Sequence, residues 1–286
     1  MDFKVKFKME YKNKLGTILF SGGEGGNIKV LSIEGLGLPK KDYTTIEYAS
    51  ENGVTQIGEK DMQRTITMNC ELVNGTRADK NRINSILHEN GELYCYFDDE
   101  RRKIKCKIDT PPEFNHEGAC FWTFTVQLIA DYPYFTDFSE SEIPIYSLKN
   151  LVTDTFTLPC VFTERLNHAT ILNEGGKYVY PIIKISATGT AEESSNVISI
   201  ANSTINSAIK INYVMSDGET ITINLKSRMI TSDKNGVITD NITDDTILSS
   251  FYLTIGKNDV SFTSNDTSQV INAVVIYTPE YYSCEV

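Results

Sequence analysis

Residues 121–135 read Phe121-Trp122-Thr123-Phe124-Thr125-Val126-Gln127-Leu128-Ile129-Ala130-Asp131-Tyr132-Pro133-Tyr134-Phe135. Phe124, Val126 and Leu128 alternate with Thr125 and Gln127, the period of a strand with one buried and one wet face. Pro133 has no amide hydrogen for a central ladder, so the strand must end before it. Acidic and serine residues follow through Glu142, which places a domain boundary near residue 138. The same alternation opens the chain, where Phe3, Val5, Phe7 and Met9 share one face and lysines with Glu10 take most of the other. Thr, Ile, Val, Tyr, Phe and Trp supply 105 of the 286 residues, against 27 for Ala and Leu, which excludes a helical bundle or helical repeat. The predicted fold class is mainly β.

One segment departs from this rhythm. In residues 76–89, Ile83, Ile86 and Leu87 have the spacing of one helix face, Thr76 and Asp79 suit a capped first turn, and Asn90-Gly91 suits the stop. The reading is one amphipathic helix lying on a sheet within a β-rich domain of residues 1–138. Residues 139–286 hold a connector and then short strand patterns at 178–186, 197–200, 209–214, 220–225, 251–255, 260–262 and 270–277. Asp217-Gly218 is predicted to close a hairpin between two of them, and Gly256-Lys257-Asn258-Asp259 to form a further turn. Many short strands with regular turns predict a β-sandwich.

Charge divides along the same line. The formal charge is −11; residues 1–138 contribute 18 basic and 21 acidic side chains, and residues 139–286 contribute 9 and 17. This acidity argues against a nucleic-acid partner gripped through its phosphates. A lysine or acid at every second N-terminal position excludes a signal-peptide core, and no apolar run has the length of a membrane helix, so synthesis in a cytoplasm without membrane anchorage is expected.

The six cysteines, Cys70, Cys95, Cys106, Cys120, Cys160 and Cys284, include no C-x-x-C pair, which speaks against structural zinc. A hairpin centred between Glu100 and Arg101 would set Cys95 opposite Cys106 on an inward face. Two buried thiols are favoured there over a disulfide.

Chemistry-bearing patterns are sparse. The Gly-rich run 21–26 lacks the Gly-Lys-Ser/Thr of a phosphate cradle and reads as a hairpin connection. His116 and Cys120 are four apart without evident further ligands. Asp98-Asp99-Glu100 and Asp244-Asp245 read as solvated tips rather than an acid–base pair. His88 falls on the helix, and His116 and His168 in polar loops. Asn74, Asn202, Asn241 and Asn265 begin Asn-x-Ser/Thr triplets that this composition produces by chance. No catalytic, cofactor-binding or metal-binding residue is assigned, and the prior moves toward a binding or structural protein.

Several motifs in order do carry information. The first domain shows Gly53-x4-Gly58 followed by Arg64-x-Ile66, then the helix with Ile83 and Leu87 running into Gly91-x-Leu93. The hairpin to residues 104–108 comes next, and Phe121-x2-Phe124 leads to Ala130-Asp131-Tyr132-Pro133-Tyr134-Phe135. The second shows Asn173-Glu174-Gly175-Gly176, Tyr180-Pro181-Ile182-Ile183 and Ile200-Ala201-Asn202. Gly218 with Thr220 and Ile221 then leads to Arg228, and Leu253-x-Ile255-Gly256-x-Asn258 closes the series. In this order, over nearly the full length, the chain resembles the distal tail proteins of siphophages and of phage-tail-like bacteriocins.

The resemblance implies an N-terminal belt domain, of which six copies close into a ring, and a C-terminal galectin-like β-sandwich. It also implies a non-enzymatic virion protein of the tail tip, assembled in the bacterial cytoplasm. Its partners would be itself as a homohexamer, the tail tube protein, a tail-associated hub or lysin protein and receptor-binding parts. No cofactor is implied. Sugar-binding galectins stack a Trp beside a His/Asn/Arg set, whereas Trp122 is the single Trp here and lies in the first domain, so no sugar site is carried over. For Tyr178 and Tyr213, core or interface packing is favoured over glycan contact. The alternative function is a carbohydrate-binding adhesion module on the host surface; a wall glycosidase using paired acids ranks last.

Overall fold

The computed structural model describes residues 7–21, 26–49, 52–97, 100–117, 121–145, 147–150, 163–191, 196–265 and 269–284. Its contacts divide the chain into two compact units, Met1–Phe138 with Tyr281–Val286, and Ser139–Glu280. The first unit is therefore discontinuous: residues 281–284 return to it. That return is a correction to the expected second domain, 139–286. It has no composition signal, being encoded in contacts made by Arg64, Arg102 and Cys95 far upstream.

The first unit contains β1 (Phe7–Asn13), β2 (Gly16–Ser21), β3 (Ile28–Glu34), β4 (Lys41–Ile46), β5 (Thr55–Asp61), β6 (Arg64–Val73), α1 (Arg77–Leu87), β7 (Gly91–Phe97), β8 (Glu100–Thr110), β9 (Asn115–Glu117), β10 (Phe121–Ala130) and β11 (Phe135–Asp137). Neighbours in its main sheet run β8-β7-β1-β2-β3-β6-β10, and β10 pairs again with β8, which closes a barrel. Closure removes the free edges that would otherwise template further pairing. β1, β6, β7 and β10 carry the two-residue alternation most plainly. Met9, Tyr11, Phe20, Ile66, Met68, Leu72, Leu93, Val126 and Leu128 fill the interior.

Helix α1 adds Ile83, Ile86 and Leu87 to that core. Thr76 and Asp79 form the reciprocal capping box, each side chain bonding the other's backbone N–H. At its other end the helix stops without a glycine cap. Asn13 donates from Nδ2 to Ile86 O at 2.7 Å and Glu89 O at 3.2 Å, and the Tyr11 hydroxyl donates to Glu89 O at 2.5 Å. Gly91, expected in the helix stop, instead begins β7, where a Cβ would lie 2.5 Å from Lys12 O.

The β7–β8 hairpin has a tighter register than predicted. Phe97 faces Glu100, so Cys95 faces Arg102 and Cys106 faces Gly91. The charged residues 100–103 belong to the strand itself, and this moves the pairing by four residues without changing faces. Cys70, Cys95, Cys106 and Cys284 are free, buried thiols. Burial pushes Cys70 and Cys106 up to about 12. Contact with the Cys284 thiol, reinforced by burial, raises Cys95 well above the ordinary range.

The second unit begins with β12 (Ser141–Pro144), β13 (Ser147–Asn150), β14 (Thr163–Leu166), β15 (His168–Asn173), β16 (Ile182–Thr188), β17 (Val197–Asn202) and β18 (Ser207–Asn212). It continues with β19 (Thr220–Asn224), β20 (Met229–Ser232), β21 (Gly236–Val237), β22 (Gly256–Ser264) and β23 (Val270–Tyr277), and a short β24 (Glu280–Tyr281) leads out of it. A six-stranded sheet, β12-β23-β16-β19-β20-β21, and a four-stranded sheet, β15-β22-β17-β18, share one apolar core that includes Ile171, Ile183, Ile185, Ile200, Ile209, Ile223, Phe251 and Val275. The molecule is mainly β, a β-rich unit with one α-helix followed by a β-sandwich.

Two local readings change. β18 and β19 lie in different sheets, so Asp217-Gly218 turns the chain across the sandwich rather than closing a hairpin. Gly256 begins a strand, and the turn lies just before it. The buried Asn258 side chain accepts from Thr254 N at 2.8 Å and donates to Thr254 O at 2.8 Å, closing that turn.

Candidate functional site

Between the adjacent barrel strands β3 and β6 the chain makes an excursion that forms its own two-stranded sheet, β4 with β5, outside the barrel. No residue of either strand is buried. Yet Leu38, Tyr43, Ile46, Tyr48, Val54, Ile57 and Met62 are exposed along it, Leu38 to 78%. An isolated hairpin is marginal in water, and apolar side chains along one mark a surface that something else covers. The two glycines of the Gly53-x4-Gly58 motif lie on this arm. Gly53 takes φ +93, a conformation few side chains tolerate.

The arm is fixed at its root by Arg64, which is 3% exposed. Its Nε donates to Pro133 O at 2.7 Å, one terminal nitrogen to Gly35 O at 2.6 Å and Gly37 O at 2.5 Å, and the other to Tyr282 O at 2.5 Å. The guanidinium lies 4.8 Å from the Phe135 ring centroid. Its fork geometry suits several convergent carbonyls in a way an ammonium would not. Asp61 accepts from the Tyr134 hydroxyl at 2.5 Å, and Met62 N donates to Lys40 O at 2.8 Å. At Gly35, φ is +92 and a Cβ would stand 2.0 Å from Thr65 O, so the root admits glycine alone.

The returning C-terminal segment completes this base. Cys284 N donates to Leu36 O at 2.9 Å, and Arg102 donates to Ser283 O at 2.5 Å while its guanidinium sits 4.0 Å from the Tyr281 ring. Thus the Arg64-x-Ile66 and Asp131-Tyr132-Pro133-Tyr134-Phe135 motifs, 69 residues apart at Arg64 and Pro133, meet on one cation. Sequence reasoning noticed both motifs but had no signal that joined them.

The second-unit motifs meet in a comparable way. Asn173, Asn202 and Asn258 are wholly buried. Asn202 donates to Tyr252 O at 3.0 Å and Asn258 Oδ1 at 3.2 Å, and Asn173 donates to Lys177 O at 2.9 Å. These amides hold chain turns and leave no donor set facing a ligand. Glu219 is also buried, accepting from Ser216 N at 2.7 Å, Tyr213 Oη at 2.6 Å, Asn235 Nδ2 at 3.2 Å and the Ser232 hydroxyl. Burial opposes its ionisation, and these donors outweigh it, holding the carboxyl below its ordinary value. Tyr213 is thereby committed to internal structure, whereas Tyr178 is 45% exposed.

The remaining sequence candidates do not converge. His88 is the C-cap residue of α1, in an open groove of about 820 Å³ with Asp109 and Pro111. His116 lies on β9 opposite Trp122, but its side chain, Cys120, Gly22–Gly25 and Asp98-Asp99 lie outside the described residues. Asp245 pairs with Lys210 at 2.5 Å on the surface. Among the described residues no group of three or more His, Cys, Asp or Glu side chains is placed to hold a metal ion.

No protein-family model matches the chain, and no curated protein matches it. Solved structures do. The SPP1 Dit (gp 19.1) protein, described as a paradigm of the hub adsorption apparatus in phages infecting Gram-positive bacteria, superposes with a TM-score of 0.63 at 12% identity, over 96% of this chain and 98% of that one. The phage P2 baseplate in its activated, calcium-containing conformation gives a TM-score of 0.43 at 9% identity over 96% and 98%. At these identities the first match shows a shared fold, and it extends through both units.

Proposed function

We propose that this protein is a structural subunit of a phage tail tip, six copies of which close into a ring that joins the tail tube to the tail-associated hub and host-recognition parts. The observation that carries this reading is the projecting β4–β5 arm: an apolar, uncovered two-stranded sheet on an otherwise closed barrel, rooted rigidly through Arg64. A head-to-tail contact between one copy's arm and the next copy's barrel closes into a ring when the rotation per subunit is right. The fold shared with a hub adsorption protein supports it, as does the ordered motif set. In this reading the sandwich is the galectin-like outer domain, the protein acts in the virion and no catalysis is involved.

The arm gives the test. Exposed Tyr43 and Ile57 replaced together by Asp should leave the circular dichroism spectrum unchanged while abolishing the ring seen by native mass spectrometry. Assembly of this double variant at wild-type concentrations contradicts the role given to the arm.

A further inference from the structure

At one end of the sandwich the structure gathers a cluster that neither the core nor the arm explains. The Val179–Leu253 bridge brings the 178–180 segment beside Tyr252. The Tyr178 and Tyr252 ring centroids lie 5.1 Å apart, those of Tyr178 and Tyr180 5.7 Å and those of Tyr180 and Tyr252 6.4 Å. Tyr178 is exposed, and Tyr180 and Tyr252 are half-buried. The β19–β20 turn docks against the same segment through Leu225 N, which donates to Pro181 O at 3.3 Å. On that turn stands Arg228, exposed, with φ +56. A glycine would meet that backbone angle with less strain. Among the described residues the Arg228 guanidinium makes no hydrogen bond or ion pair. The nearby Lys177 faces Glu280 at 3.6 Å, so that acid is already neutralised.

We propose that Tyr178, Tyr180, Tyr252 and Arg228 form a binding site for an anionic polysaccharide, with the Tyr178 ring stacking on a sugar face and Arg228 taking the phosphodiester or carboxylate group beside it. Exposed aromatic rings offer π faces to the C–H bonds of a pyranose, and the phenols and guanidinium are donors matched to acceptor-rich oxygens. Burial and the Tyr178 neighbour raise the Tyr180 phenol, so it remains a donor at neutral pH. Four side chains cover far less than the roughly 800 Å² per partner that a stable protein contact takes, which suits one or two sugar units better than a protein surface. The site differs from a Trp-centred sugar site, and its two outer residues are Tyr178 and Arg228, both exposed, so substituting them leaves the core intact.

Isothermal titration of the full chain at low ionic strength, with poly(glycerol phosphate), polygalacturonate and neutral dextran as separate probes, tests it. Saturable binding of one or both anionic polymers is expected, and whichever binds identifies the anion. Binding should weaken on the order of tenfold or more in both Arg228→Gly and Tyr178→Ala. Arg228→Gly also relieves the backbone strain, so lost binding in that variant cannot be assigned to misfolding. Absence of saturable binding to either anionic polymer overturns the proposal, as does dextran binding equally well, or either variant binding like the wild type.

Discussion

The two units bury a charge in opposite ways. In the barrel unit Arg64 is a cation held by four carbonyls from three separate chain segments, those of Gly35 with Gly37, Pro133 and Tyr282. In the sandwich Glu219 is an anion held by donors from one compact neighbourhood, residues 213–235. The first arrangement ties distant parts of the chain to the root of a projecting arm; the second only secures a crossing between its own sheets. The barrel unit's exposed apolar residues gather mostly on the β4–β5 arm, whereas those of the sandwich, among them Val237, Ile247, Ile255 and Val270, are spread over its strand ends and turns. A buried charge is expensive to leave unmatched, so both should be sensitive, but in separable parts of the molecule.

Trp122 is the single Trp and lies in the first unit, so its fluorescence reports the barrel, while far-UV circular dichroism reports both. The largest effect is expected from Arg64→Met, which strands several buried carbonyls and should destabilise the barrel by about 4 kcal/mol. Urea unfolding followed by Trp122 fluorescence should show it, with the sandwich transition unmoved. Glu219→Gln places an amide N–H₂ against donors and should cost the sandwich about 2 kcal/mol, moving the dichroism transition and sparing the fluorescence one. If either substitution shifts both transitions equally, the separation of the two charge sites fails.

Acid sharpens the contrast. Glu10, on the barrel's first strand, is pushed upward by burial, yet Lys12, Lys8 and Tyr96 hold it down at about 2, against 4.5 when unperturbed. Because the folded value is the lower one, its contribution is complete above about pH 4.5 and is lost as pH falls toward 2. The barrel midpoint should fall between pH 6 and pH 3, and Glu10→Gln should reduce that fall by about 1 kcal/mol. Glu219, also lowered, gives the sandwich the same sign below the ordinary carboxyl range. The smallest expected effect is Thr76→Ala, about 1 kcal/mol through loss of the α1 capping box, seen in the fluorescence midpoint with the sandwich transition unmoved.

What was legible beforehand follows the range of the interactions. The alternation in β1, β6 and β10, the capped helix with Ile83, Ile86 and Leu87 inward, and the sandwich class rest on neighbours two to four residues apart, and sequence displays those. The register of Cys95 and Cys106 was misplaced because residues 100–103 look like a loop by charge while serving as a strand by alternation. Asp217-Gly218 has the composition of a hairpin and crosses between sheets, a choice made by the buried Glu219 beside it. The exposure of the arm has no signal in sequence, since Tyr43, Ile46 and Ile57 look like any half-buried strand until the described residues show nothing packed on them. The C-terminal return was equally hidden, because Tyr282 and Ser283 contribute only main-chain carbonyls to Arg64 and Arg102. Core or interface packing is the reading for both Tyr178 and Tyr213; Tyr213 is hydrogen-bonded inside the unit and Tyr178 is exposed, and nothing local in the sequence distinguishes them.

Ring assembly through the barrel unit is tested by the mass of the wild-type full chain, measured by multi-angle light scattering with negative-stain imaging at high protein concentration, alone and with the hub protein. A six-membered ring of 32.1 kDa subunits, about 190 kDa with a central opening, is the expected result. A strict monomer of 32.1 kDa under both conditions, with no ring in the images, contradicts it.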